Sequence, residues 1–435
     1  MNVLLIGSGA REHAIAKAIN RSKIETFLYC LGSNMNPGIA ELCNEFTIGN
    51  INDPQFVVNY GIETHASLAI IGPENPLACG VADALWENNI KTIGPRKELA
   101  KIETSKAFTR ELLKQYKIPG GPDYKVFSSM SGVLKFLDHL GDKYVVKYDG
   151  LAGGKGVKVS GDHLFSHDDA LKYCQKLVDS GGEFVIEEKF IGQEFSLMSF
   201  CDGSVLKHMP AVQDHKRAYE GDSGPNTGGM GTYSDFNHSL PFLSEGDILE
   251  ARSINEATAS ALKDKFNESY QGVLYGGFIA TADGVKLIEY NARFGDPEAI
   301  NVLSLLDSDI IEIFEHIVNG TLNNLNIKFK NKATVCKYAV PKGYPDDPVK
   351  GQPIDISKVT DPNSLFLASV DIKNNSLVES GSRTVASIGI ADTIEEAESI
   401  AEKEISLVSG PLFHRRDIGT KSVIQSRVDY MNFLR

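Results

Sequence analysis

The chain has 435 residues, room for roughly two to four domains at ~100–200 residues each. Its 42% hydrophobic and 23% charged residues are the balance of a protein that buries a core, not of a disordered chain. Lys plus Arg number 44 against 57 Asp plus Glu, a formal charge of −13, which disfavours general attraction to nucleic acid or an anionic membrane yet leaves room for a local basic pocket. The six cysteines include no C-x-x-C pair, so they form neither a zinc site nor a disulfide scaffold, and they suit a reducing compartment. No apolar run approaches the ~18 residues of a membrane span. The start, MNVLLIGSGA, lacks the basic region of a secretory signal. The expectation is a cytoplasmic globular protein with no nucleic-acid or membrane partner.

The first hundred residues alternate apolar strand and helix. Val3–Ile6 ends in Gly7-Ser8-Gly9, a helix follows over Glu12–Asn20, and Thr26–Leu31 and Ser67–Ile71 are further strands. Short apolar strands separated by helices predict a parallel sheet covered on both faces. Lys101–Tyr116 has helical spacing, with Phe108, Leu112, Leu113 and Tyr116 on one side, and Ile118–Pro122 breaks the chain as a linker. A compact unit over about 123–190 holds strand Tyr144–Tyr148, a glycine-rich loop, strand Val157–Ser160, a helix capped by Ser166 with Asp169, and strand Glu183–Glu187. Strand Phe195–Cys201 turns at Asp202-Gly203, and a long loop runs from Pro210 to Tyr233. Phe278–Thr281 and Val285–Tyr290 flank a hairpin turn at Asp283-Gly284. A helix from near Asp309 ends at Gly320. From about Asn331 a further α+β unit carries a helix capped by Asp392 with Glu395, running to about Val408.

Several stretches carry chemistry. Gly7–Glu12 joins strand to helix, where free N–H groups attract anions; it is either a phosphate cradle or a tight turn using Gly7 and Gly9. A dinucleotide fold would need a glycine at Glu12 and an acid after the second strand, and has neither. Asp149–Gly156 (DGLAGGKG) follows Lys147, and its glycines, with Lys147 and Lys155, could fold over phosphates; the alternative is a bare hairpin. Glu187 and Glu194 flank a short turn and could serve an adenosine, with backbone near the first meeting the base and the second reaching the ribose; without context they read as solvated surface acids. Glu289 and Asn291 stand two apart on a strand, so they share a face and offer hard oxygens suited to Mg²⁺. Arg293 follows on that side, able to clamp a carboxylate or phosphate. Gln213–Arg217 (QDHKR) and Gly224–Gly231 (GPNTGGMG) belong to the long loop, and loops of that length inside compact proteins are usually functional. No Ser/His/Asp or Cys/His arrangement is present.

As a set, GSGAREH at Gly7–His13, IGPENPL at Ile71–Leu77, SKAFT at Ser105–Thr109, VVKYDGLAGGKGV at Val145–Val157, VIEEKFIGQEFS at Val185–Ser196, QDHKR, GPNTGGMG and IEYNARFGDPE at Ile288–Glu298 resemble the phosphoribosylamine–glycine ligase (glycinamide ribonucleotide synthetase) family of the ATP-grasp superfamily. The likeness covers about residues 1–300; HRRDIG at His414–Gly419 resembles the family's ending. It implies an α/β and α+β multidomain fold: an amino-terminal parallel α/β domain over 1–102, an ATP-grasp core of two α+β subdomains over 103–330 with a lid at about 123–190, and a small carboxy-terminal α+β domain over 331–435. It implies ATP and Mg²⁺ or Mn²⁺ as cofactors, glycine and 5-phosphoribosylamine as substrates, and a monomer. By motif, Lys106, Lys147, Gly153, Gly154, Lys155 and Gly156 would hold the ATP phosphates, and Glu187 and Glu194 adenine and ribose. Glu289 and Asn291 would bind the metal. Gly9 and Glu74 would meet the sugar phosphate, and Asp214, Lys216, Arg293 and Asp296 would line the glycine and acyl-phosphate site. Ala10, Ala292 and Tyr338–Gly343 depart from the family's usual pattern. A carboxylase or transformylase of the same superfamily and a nucleotide-binding regulator are the competing readings.

Overall fold

The computed structural model describes residues 1–153 and 156–435, so the expectations for Gly154 and Lys155 lie outside it. Strands β1 (Asn2–Ile6), β2 (Phe27–Gly32), β3 (Glu45–Ile48), β4 (Leu68–Ile71) and β5 (Lys91–Ile93) form a parallel sheet in the order β3-β2-β1-β4-β5. The expected strands reappear within a residue or two. Strand β3 is a short edge without a buried residue, and β5 has three residues, so neither left an apolar run to find. The turns after β1 and β4 lie side by side: a Cβ on Gly7, whose φ is +119°, would sit 2.9 Å from Pro73. Open parallel sheets place ligands beyond the carboxyl ends of their strands, and here Pro73 and Glu74, just past the end of β4, line the main cavity.

The helix expected over Lys101–Tyr116 is two helices, Lys97–Thr104 and Lys106–Gln115. Ser105 is extended between them and its Oγ accepts from Phe108 N at 3.0 Å. Asp149 reinforces the break, accepting from Ser105 Oγ (2.9 Å) and Ala107 N (3.1 Å). A capping side chain therefore outweighed a helical pattern that ran straight through it.

Strands β6 (Tyr124–Phe127), β7 (Tyr144–Tyr148), β8 (Val157–Val159) and β9 (Phe184–Glu188) form an antiparallel sheet in the order β6-β9-β7-β8. With helices Val133–Leu140 and His167–Asp179 this unit has its own apolar core, including Phe127, Leu137, Val146, Phe184 and Ile186, separate from the main one. Ser166 accepts from Asp169 N (3.2 Å) as expected, while the Asp169 carboxylate reaches Phe165 N instead of closing the box. The preceding linker is docked rather than free, since Leu287 N donates to Gly120 O at 2.8 Å.

Strands β10 (Gln193–Asp202) and β11 (Leu206–His208) join β16 (Gln271–Thr281) and β17 (Gly284–Asn291) in a second antiparallel sheet, ordered β11-β10-β16-β17. Before β16 the expected long loop contains β12 (Gln213–Asp214), β13 (Arg217–Tyr219), β14 (Ser223–Asn226) and β15 (Gly231–Ser234), pieces too short and polar to show a period. Strands β16 (Gln271–Thr281) and β17 (Gly284–Asn291) make the expected hairpin, with a register shift at Gly277/Phe278.

The carboxy-terminal sheet is built on β18 (Ala333–Pro341), with β22 (Val385–Ala391) beside it, β19 (Leu365–Leu367) beyond that, and the hairpin of β20 (Val370–Lys373) and β21 (Ser376–Glu379) nearby. Its order, β12-β15-β18-β22-β19, runs across the boundary expected at residue 330. After β22 (Val385–Ala391), the helix Ile394–Ser406 is capped by Thr393, whose Oγ1 accepts from Glu396 N. Asp392, the expected cap, pairs with Lys332 at 2.5 Å. This unit also grips the amino-terminal one: Leu367 N donates to His13 Nδ1 (2.9 Å) and Asn36 Nδ2 to Leu367 O (2.8 Å). Among the described residues, no helix is long and apolar enough to cross a membrane.

Candidate active site

The four units enclose a cavity of about 930 Å³. Every expected site residue that the structure describes lines it, except Gly9. Its walls gather Lys106, Arg110, Lys147, Lys216, Arg293 and Arg383 together with acids such as Glu74, Glu103, Glu187, Asp214, Glu289 and Asp296, so the cavity is densely charged with both signs.

On the lid side, Lys147 and Glu187 lie on adjacent strands β7 and β9 and form a buried ion pair. Arg110 holds the same carboxylate at two points, Nε to Oε2 at 2.7 Å and Nη2 to Oε1 at 3.0 Å. Burial alone would raise the Glu187 carboxyl; Arg110 and Lys147 outweigh it and hold the group below its usual range. Glu187 is therefore not a surface acid. Nor is its carboxylate free to meet an adenine: both oxygens are spent, and what remains for a base is the backbone beside it. Lys147 Nζ also donates to Ile288 O (3.1 Å), and Lys106 Nζ donates to Gly150 O (2.5 Å), at the root of the glycine-rich loop. Gly153 and Gly156 line the cavity from that loop. Glu194, on β10 and exposed, pairs with Lys216 at 3.1 Å.

Glu289 and Asn291 both face the cavity from β17. Burial opposes the Glu289 charge, and Lys216, Lys147, Lys106 and Arg293 outweigh it, keeping the carboxyl ionised below its usual range. Among the described residues no donor bonds that carboxylate. Asn291 presents its Oδ1, which accepts from Arg293 Nη2 at 3.1 Å. Also among the described residues, no cluster of three or more His, Cys, Asp or Glu stands ready for a metal. Two hard oxygens beside a space lined with lysines fit a hydrated cation that completes its shell on phosphate, and do not fit an all-protein metal cage.

At the far end Arg293 is held between Glu103 (Nη2–Oε1 2.8 Å) and Glu74 (Nε–Oε2 3.3 Å). Glu103 Oε2 also accepts from Ala292 N (2.7 Å), fixing the turn from which Arg293 springs. Burial pushes the Glu74 carboxyl up, but Arg293 and Arg11 bring it down to about 2. Asp214 is the opposite case: with Oδ1 buried and unpartnered among the described residues, it is pushed well above its normal value by burial and by Glu298. Asp296 accepts from Tyr338 OH (2.8 Å) and pairs with Arg383 (3.1 Å). Near the first strand, Gly9 N donates to Glu12 Oε2 at 2.6 Å, so an internal carboxylate already sits at the helix start.

Sequence reasoning missed Glu103, Arg110, Tyr338 and Arg383. Arg110 left a signal, standing one helical turn after Lys106 and so on its face. Arg383 left none: its side-chain hydrogen-bond partners lie 87 to 155 residues away.

An antiparallel lid sheet and an antiparallel core sheet that share a charged cavity, with lysines, an ionised Glu and an Asn in its walls, define an ATP-grasp enzyme. Family models agree along the chain: the phosphoribosylglycinamide synthetase N domain matches residues 1–103, its ATP-grasp (A) domain 104–299 and its C domain 334–421. The chain belongs to the phosphoribosylglycinamide synthetase family. It is 50% identical over 435 residues to the phosphoribosylamine–glycine ligase of Methanosarcina acetivorans, covering 100% of this chain and 98% of the relative. It is 48% identical to the enzyme of the same name from Methanocaldococcus jannaschii, with 100% of both chains covered. The crystal structure of phosphoribosylamine–glycine ligase from Thermotoga maritima superposes with a TM-score of 0.82 at 26% identity, covering 96% of this chain and 100% of that one.

Proposed function

We propose that this chain joins glycine to 5-phosphoribosylamine while ATP is split to ADP and phosphate, giving glycinamide ribonucleotide for purine synthesis. The observation that carries the reading is the pairing, in one cavity, of an ionised Glu289 amid lysines with a separate arginine site at Arg293. A carboxylate is too poor an electrophile for an amine, so the route runs through glycyl phosphate, which the amine then attacks. Such a transfer needs positioning and charge neutralisation rather than a protein nucleophile.

Lys106, Lys147 and the Gly150–Gly156 loop, with Lys155, hold the phosphates. Backbone beside Glu187 takes adenine, and Glu194 takes the ribose. Glu289 and Asn291 hold Mg²⁺ or Mn²⁺, which neutralises charge on the triphosphate when bound. Arg293, Asp214 and Lys216 serve glycine and its acyl phosphate, and Glu74 the sugar. The 1–102, 103–330 and 331–435 units act as one monomeric, cytoplasmic enzyme. The test is ADP release, which should require glycine and phosphoribosylamine together. With ¹⁸O in the glycine carboxylate, one label should appear in phosphate. AMP as product, or label absent from phosphate, would exclude the acyl-phosphate route.

A further inference from the structure

Arg383 sits between β21 and β22 and enters the cavity from the carboxy-terminal unit. Its Nη1 donates to the carbonyls of Gly228 (2.6 Å), Gly229 (3.3 Å) and Asp296 (2.9 Å), and its Nη2 pairs with Asp296 Oδ2 (3.1 Å). The guanidinium lies 4.7 Å from the centre of the Tyr338 ring, and the Tyr338 hydroxyl donates to Asp296 Oδ1 (2.8 Å). Both oxygens of Asp296 are therefore committed to residues of the carboxy-terminal unit. A carboxylate in that condition has little left for a substrate.

The two segments that Arg383 joins form the glycine end of the cavity. Gly229 backs directly onto Asp214: a Cβ there would lie 2.6 Å from Asp214 Oδ1. Asp296 follows Arg293 by three residues, outside any helix or strand. One planar guanidinium thus bridges the turn behind Asp214 and the turn after Arg293. A lysine, with a single ammonium at the end of a flexible stem, cannot span that set of acceptors.

We propose that Arg383, with Tyr338 and Asp296, is a positioning strap by which the carboxy-terminal unit holds the 224–231 and 293–298 loops at the separation that glycine and its acyl phosphate require. The strap rests on the glycine reading of this end of the cavity. It makes Asp296 a positioning residue rather than a substrate ligand, and it leaves the ATP end untouched.

Steady-state ADP release with each substrate varied in turn tests it, on Arg383→Met, Arg383→Lys, Asp296→Asn and the double variant Arg383→Met/Asp296→Asn. Arg383→Met should raise KM for glycine on the order of 10- to 100-fold while KM for ATP stays within about twofold. Arg383→Lys should recover part of the loss. The double variant should be no worse than Arg383→Met, because the pair acts as one unit. Equal rises for ATP and glycine, or additive losses, would overturn the strap. Should Arg383→Met not fold, Tyr338→Phe removes only a hydroxyl and should still raise KM for glycine; an unchanged value overturns the proposal. Amide exchange needs no turnover: in Arg383→Met, or in Tyr338→Phe if the former does not fold, protection should fall in both loops and persist in β7. Exchange that loosens both loops in a protein indifferent to glycine would sink the functional reading and keep the strap; unaltered exchange would sink the strap alone.

Discussion

Arg110 and Glu187 meet at two points, 2.7 and 3.0 Å, with side chains only 2% and 4% exposed. The pair ties the helix Lys106–Gln115 to β9 of the lid sheet. Arg110 also donates to the carbonyls of Leu287 (3.3 Å) and Ile288 (2.5 Å), so one guanidinium spans the lid and the core sheet. Glu187→Gln would leave Arg110 and Lys147 facing each other without an anion. The expected loss is about 3–5 kcal/mol of unfolding free energy, together with weaker ATP binding. Urea denaturation checks it, and a loss below about 1 kcal/mol would mean that water reaches the pair.

Glu289 stands ionised among cations with no donor of its own among the described residues. Glu289→Gln keeps its shape and removes its charge, so stability should change little while metal-dependent turnover falls ~10²–10³-fold. Rates measured across a Mg²⁺ titration decide it. Near-normal activity at limiting metal would mean that Glu289 is not the ligand.

Glu74 faces Arg293 from the amino-terminal unit. Glu74→Ala should raise KM for phosphoribosylamine and leave that for ATP nearly unchanged. Parallel effects on both would move the Gly72–Leu77 turn to the nucleotide end.

Burial, with the charge of Lys17 beside it, lowers the His13 pKa to about 3 from 6.5. Between those values the unfolded chain binds a proton that the folded chain refuses. Stability should therefore be full above pH 6.5, decline as pH falls toward 3, and level off below. His13→Gln should flatten that part of the curve. Urea midpoints for both proteins from pH 7 to 3.5 supply the comparison, and superimposable slopes would remove His13 as the cause.

The lid unit packs around its own core, and Arg110 and Lys147 tie its sheet to the core sheet at Ile288. Adding ATP and Mg²⁺ should slow amide exchange in β7 and β8 while β1 stays as it was. Identical exchange with and without nucleotide would mean a preformed pocket.

What the sequence made legible was local. Two residues apart on a strand is enough to put Glu289 and Asn291 on one face, and Asp283-Gly284 between apolar runs is enough for a hairpin. The misses were of two kinds. At Ser105 a single capping side chain, backed by Asp149 from 44 residues away, interrupted a periodic helix. Strands β12 to β15 escaped because each is only two to four residues long, too short to show a period of its own. Partnerships decided the site in the same manner: taken without context Glu187 read as a solvated surface acid, and Arg110, 77 residues earlier, buries and pairs it. Glu103 bonds Ala292 across 189 positions, a distance at which spacing carries no information.

The bond from Leu367 N to His13 spans 354 residues. At ~5–20 residues per second, a ribosome needs roughly 20–70 s to make the second partner after the first. For that interval the amino-terminal sheet must stand with His13 and Asn36 lacking the strand that later covers them. Its last contacts close only when synthesis is nearly done, which leaves the active cavity incomplete until the whole chain has been made.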